Sequence, residues 1–156
     1  MCDIQKTVKD NKEICVLIKP EAFDRGCVWR ILAMIETNLG GIVYNQRVLY
    51  STPSRSLVEE HYEEHRGKDF FDSVVSCIAE KRVLALSFRC KDNISHAEGI
   101  KALRDLSGAS DPEVALPGSI RNTFGYKEED GSIRNMIHVS DSVDACAREI
   151  YLWFGV

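Results

Sequence analysis

The stretch Arg134-Asn135-Met136-Ile137-His138-Val139-Ser140-Asp141-Ser142 holds the side chains best placed to do chemistry. Met136 and Ile137 have the character of buried strand. Ser140, Asp141 and Ser142 carry the short oxygen-bearing side chains that satisfy free backbone N–H groups where a helix begins. The pattern therefore predicts His138 at a strand-to-helix junction, where unpaired N–H groups and the positive end of a helix dipole favour phosphate. A histidine there can serve as nucleophile, acid–base group or metal ligand. A lone histidine on an apolar segment is more often an ordinary half-buried side chain, so the rest of the chain must decide between these roles.

The elements that would hold His138 in place can be read from apolar periodicity. Ile14 to Ile18 is a continuous apolar run ending at Lys19-Pro20, which predicts a central strand buried on both faces. Val28, Ile31, Leu32, Ile35 and Leu39 recur at helical spacing until Gly40-Gly41. Ile42 to Tyr50 is expected as a second strand with Ile42, Tyr44, Val48 and Tyr50 on one face. Thr52-Pro53-Ser54 opens a helix striped by Leu57, Val58, His61, Tyr62 and His65. Phe70, Phe71, Val74, Val75 and Ile78 give another short helical face. Val83 to Phe88 is a third strand, and Ala97, Ile100, Leu103 and Arg104 a helix ending near Gly108. Ser107 to Gly118, with two glycines and two prolines, must be an irregular loop of a length that is often functional. Asp130-Gly131 is a tight-turn signal, Asn135 to His138 the fourth strand, and Val143, Cys146, Ala147 and Ile150 the stripe of a last helix. A four-stranded, largely antiparallel sheet with helices on one face is the simplest architecture.

The chain of 156 residues carries a net charge of -4, which gives no support to bulk nucleic-acid or membrane binding. No apolar run approaches the roughly 20 residues of a membrane span. Residues 1–13 are polar and lysine-bearing, without the apolar core of a secretory signal. They are expected as a flexible lead-in to a single domain over 14–156. The six cysteines (Cys2, Cys15, Cys27, Cys77, Cys90 and Cys146) form no C-x-x-C pair, and most lie in apolar runs. They are expected to be reduced, structural residues of a cytoplasmic protein, and metal-ligand spacing is absent.

Ile18-Lys19-Pro20 with Arg25-Gly26, His61-Tyr62, Phe70-Phe71, Pro117-Gly118-Ser119-Ile120-Arg121 and the stretch around His138, followed by Glu149 and Trp153-Phe154, occur in that order. In this combination the chain resembles the nucleoside diphosphate kinases from about Ile14 to Phe154. The resemblance implies an α/β fold of the α+β kind, the ferredoxin-like four-stranded antiparallel sheet with surrounding helices. It implies ping-pong transfer of the γ-phosphate of a nucleoside triphosphate to a nucleoside diphosphate. His138 would be the nucleophile and Glu149 the carboxylate that fixes its tautomer. Lys19 would contact the transferring phosphate and the ribose 3′-hydroxyl, and Tyr62 would stand beside the nucleophile. Arg104 and Arg121 match phosphate-binding arginines, whose forked guanidinium suits phosphate oxygens. Ser110 stands where the family has a threonine hydroxyl, Asn135 matches the asparagine that holds the ribose, and Phe70 with Val74 matches the pair that sandwiches the base. Stacking on a ring accepts any base, so broad nucleoside specificity follows. Magnesium would arrive with the nucleotide, held mainly by its phosphates.

Several positions depart from the family's pattern. Val139 replaces the glycine that usually follows the histidine, and a β-branched residue avoids positive φ. Lys68 replaces a phosphate-binding arginine, keeping the charge without the bidentate fork. Glu21-Ala22 replaces Asp-Gly, and Ser110-Asp111 replaces Thr-Asn. The segment between Arg121 and Asn135 is longer by roughly four residues, which is expected to form a hairpin tip. The chain stops two residues after Phe154, where relatives usually continue into a segment that touches neighbouring subunits. A homo-oligomer is expected, as a dimer or tetramer if not the family's hexamer. These departures motivate an alternative, a nucleotide-binding regulatory protein of the same fold with weak or no turnover. An RNA-binding module ranks last, because the aromatic RNA-contact motif is absent and the charge is negative.

Overall fold

Ile14 to Ile18 are all fully buried, as an apolar run covered on both faces requires. They belong to β1 (Glu13–Ile18) in the computed structural model, which describes residues 8–156. The elements that follow are α1 (Pro20–Asp24), α2 (Val28–Leu39), β2 (Val43–Ser51), α3 (Arg55–His61), α4 (Phe71–Ile78), β3 (Val83–Cys90), α5 (His96–Ser107), α6 (Ile120–Phe124), β4 (Tyr126–Lys127), β5 (Ile133–Arg134), β6 (Ile137–Val139) and α7 (Val143–Phe154). The main sheet has four antiparallel strands in the order β2-β3-β1-β6, so β1 and β3 are central and β2 and β6 are edges. The helix starts follow local chemistry. Ser54, Ser95 and Ser142 each accept a hydrogen bond from a backbone N–H of the first turn, and Ser95 closes a full capping box with Glu98. The sharp stop of α5 is Gly108 at φ +84°, a left-handed position open to glycine.

The helices cover both faces of the sheet, not one. Ile14, Val16 and Ile18 pack with Ile31 and Ile35 of α2 and Leu103 of α5. Cys15 and Leu17, pointing the opposite way, pack with Val58 of α3, Val75 and Ile78 of α4, and Ile150 and Trp153 of α7. A strand's side chains alternate between faces, so an unbroken apolar run needs two cores. Each fully buried Ile or Leu contributes about 1.5–3 kcal/mol.

β2 departs from the expected pattern. A register shift between Asn45 and Arg47 breaks the strict alternation. Tyr44, Val48 and Tyr50, expected on one face with Ile42, are exposed on this edge strand, and the shift separates Tyr44 from the alternation of Val48 and Tyr50. The β4–β5 hairpin occupies the longer segment between Arg121 and Asn135, with Gly131 at φ +81° in its turn. Of the expected lead-in, residues 1–7 lie outside the described residues. Over 8–13 the chain is docked on the domain: Val8 is buried, and Nζ of Lys12 donates to the carbonyls of Lys91, Asp92 and Ile94. Cys15, Cys27, Cys77, Cys90 and Cys146 are free thiols, and Cys2 lies outside the described residues.

Candidate active site

His138 is the middle residue of β6 and pairs with Leu17 of β1. The strand holds its backbone, and Glu149 holds its ring. Nε2 of His138 lies 2.8 Å from Oε2 of Glu149, a buried carboxylate on α7. Ser140 Oγ donates to the same oxygen at 2.7 Å. Ser140 is therefore a ligand of the carboxylate and not a helix cap; the cap is Ser142. Burial alone would raise the Glu149 carboxyl, but His138, His61 and Ser140 outweigh it and bring it down to about 2. An ionised Glu149 accepts the Nε2 proton, so the neutral ring keeps its lone pair on Nδ1. That nitrogen has no hydrogen-bond partner among the described residues.

His61 backs this pair. Its ring meets His138 edge-on, with centroids 4.5 Å apart, and Trp153 Nε1 donates to its Nδ1 at 3.1 Å. Burial, then the neighbouring His138, hold His61 well below the usual histidine range, so it stays neutral. His61, His138 and Glu149 lie within 4.8 Å of one another, a spacing that could suit a metal ion. The indole N–H on Nδ1 of His61 leaves its proton on Nε2, while His138 and Glu149 are bonded to each other. The contacts are two separate hydrogen bonds joined by an edge-on ring contact, and Nε2 of His61 is buried without a partner among the described residues.

The cationic side of the site is built from three elements. Lys19, at the end of β1, reaches Oδ1 of Asn135 with its Nζ at 2.8 Å. Burial pulls its ammonium down to about 8 against the opposing pull of Glu21. Arg121 of α6 donates to the carbonyls of Gly108 and Ile137, and Arg104 of α5 donates to that of Val139. Burial lowers Arg121 to about 10, which leaves it charged near neutrality. These side chains surround a cavity of about 600 Å³ with His138 on its wall. Tyr62 is buried beside His138, with ring centroids 5.8 Å apart, and burial pushes its phenol up. Its hydroxyl and Nε of Arg121 are buried without a partner among the described residues.

Phe70 and Val74 line the same cavity, as do Ser110 and Asn135. On α4 the expected apolar stripe divides: Phe71, Val75 and Ile78 are buried, whereas Phe70 is half-exposed. Lys68 is the expected site residue that does not line the cavity. Its Nζ sits 3.0 Å from Nδ1 of His65 and 5.8 Å from the Phe70 ring, which draw it aside. Met136, expected as strand, has φ +68° and precedes β6. Val139 is extended and buried, paired with Val16, so its β-branch meets no positive φ and causes no strain. The parts that sequence reasoning missed are the roles of Glu21, His61, Ser140 and Trp153. Each stands inside or beside a recognised motif, but only proximity in the fold reveals what it touches.

An α+β domain that aims a carboxylate-oriented histidine at a lysine and two arginines across a nucleotide-sized cavity belongs to the class of phosphate-handling proteins. Comparison with known proteins narrows that class. The profile described as nucleoside diphosphate kinase matches residues 12–156. A nucleoside diphosphate kinase of Schizosaccharomyces pombe is 39% identical over 145 residues, covering 92% of this chain and 87% of the relative. A cytosolic nucleoside diphosphate kinase of Dictyostelium discoideum is 38% identical over 149 residues, covering 95% and 88%. Among solved structures, the Halobacterium salinarum nucleoside diphosphate kinase in complex with CDP superposes with a TM-score of 0.76 at 33% identity, covering 92% of this chain and 88% of that one. The chain belongs to the nucleoside diphosphate kinase family.

Proposed function

We propose that this chain transfers the terminal phosphoryl group of a nucleoside triphosphate to a nucleoside diphosphate, with Nδ1 of His138 as the carrier. The observation that carries this reading is the 2.8 Å contact of Nε2 with Glu149, which leaves Nδ1 as the ring nitrogen without a protein partner. Nδ1 attacks the γ-phosphorus as the bond to the leaving diphosphate breaks. The ring then gains positive character, which the ionised Glu149 stabilises. In the return half-reaction a nucleoside diphosphate oxygen attacks the same phosphorus and Nδ1 leaves with its lone pair. One site thus serves two similar steps. Lys19, Arg104 and Arg121 neutralise charge on the phosphoryl oxygens, the main demand of such a transition state. A bound phosphate chain also offers acceptors to the orphaned donors of Tyr62 and Arg121.

The donor set suits a magnesium ion brought by the nucleotide. Glu149 and Glu21 are engaged in hydrogen bonds, whereas Asp141 lines the cavity with no ion pair among the described residues. Asp141 would therefore help hold the hydrated ion, whose contribution is further charge neutralisation. Phe70, half-exposed at the mouth, offers a face for the base, and Asn135 an amide for the ribose.

A homo-oligomer accords with the exposed edge strand β2, where Tyr44, Val48 and Tyr50 are uncovered, as is Trp29 on α2. Cytoplasmic residence is supported by the relative described as cytosolic. Among the described residues no helix is long and apolar enough to cross a membrane.

Initial rates with both nucleotides varied test the proposal. Parallel lines in double-reciprocal plots are expected for the two half-reactions. Intersecting lines would contradict a phosphoenzyme route.

A further inference from the structure

Glu21 is a carboxylate buried on the cavity wall, with no ion pair among the described residues. Its Oε1 accepts the backbone N–H of Met136 at 3.2 Å. Met136 is fully buried at φ +68°, and the N–H of Ile137 closes onto the carbonyl of Asn135 at 2.8 Å around it. That geometry is a γ-turn of the rare positive-φ sense, strained for any residue with a side chain. The Met136 carbonyl accepts from the N–H of Lys19 at 2.9 Å. Both backbone polar groups of a strained residue are thus held by the Lys19-to-Glu21 segment. Asn135, whose Oδ1 meets Lys19 Nζ, flanks the turn on one side, and β6 with His138 follows on the other.

Resting on the kinase reading, we infer that Glu21 is a positioning residue for phosphoryl transfer: it clamps the Met136 turn that sets Asn135 against Lys19 and starts the strand carrying His138. Its alternative role would be as a charge partner of Lys19. The two roles separate chemically, because a glutamine at this position still accepts a hydrogen bond but carries no charge.

The test compares Glu21→Ala and Glu21→Gln with the native chain by steady-state kinetics and by NMR exchange of the Met136 amide. Glu21→Ala is expected to lower kcat/KM about tenfold or more, the scale of one buried donor left unpaired. The loss should fall on kcat more than on nucleotide KM, because the misaligned groups meet the phosphoryl group in transfer. Its Met136 amide should exchange about tenfold faster. Glu21→Gln should stay within about threefold of native on both readouts. A Glu21→Gln variant as impaired as Glu21→Ala overturns the inference, as does unchanged Met136 exchange in Glu21→Ala. If Glu21→Ala does not fold, a loss of about tenfold or more in Glu21→Gln overturns it alone, and a near-native Glu21→Gln supports it. A native chain without transfer activity defeats the kinase reading instead, while the exchange measurement still decides whether Glu21 holds the turn.

Discussion

Lys19 and Glu149 make opposite use of burial. Burial lowers the Lys19 ammonium to about 8, so it is charged below that pH and loses its proton as pH rises through it. Its attraction for phosphate is complete on the acid side and fades on the alkaline side. The profile of kcat/KM, which reports groups of the free enzyme, should therefore fall above about pH 8. Glu149 stays ionised despite its burial because His138, His61 and Ser140 surround it. Glu149→Gln offers Nε2 a neutral partner that can donate as readily as accept. Such a partner stabilises the wrong ring tautomer and protonates Nδ1. Single-turnover phosphorylation of His138 should slow by about a hundredfold or more, the scale of comparable tautomer defects.

At the scale of elements, the strands and helices were legible wherever a periodic apolar pattern met a recognisable stop. β1, α2, β3 and α5 fall where their spacing and flanking glycines, prolines and serines place them. His138, Glu149, Lys19, Arg104 and Arg121, picked out by their motifs, line one cavity. What stayed hidden depends on contacts between distant segments. Glu21 meets Met136 across 115 positions of sequence, and Trp153 meets His61 across 92. No local pattern marks either contact. β2 misled because a bulge shifts its alternation and an edge strand can expose apolar residues to another surface. Val139 stands where a glycine was expected, and its β-branch, which avoids positive φ, suits the extended backbone it has within β6. Val139→Gly should therefore destabilise the fold by about 2–4 kcal/mol, through lost burial and added chain entropy, without raising kcat. Chemical denaturation and initial rates on the same variant check both parts.

At the scale of the molecule, two cores fix one sheet. The site forms where the ends of β1 and β6 meet α5, α6 and α7. The opposite edge, β2, leaves Tyr44, Val48 and Tyr50 in solvent. If that edge joins copies of the chain, light scattering should give a mass above the 17.6 kDa of one chain. Val48→Lys, which places a charge on the exposed edge, should lower that mass while the fold persists. The central claim, that His138 carries the phosphoryl group, is tested most directly by incubating the protein with γ-labelled ATP and following label on the chain. Label that is acid-labile and alkali-stable, lost in His138→Asn and discharged by added nucleoside diphosphate, is the expected result. Equal labelling of His138→Asn would contradict it.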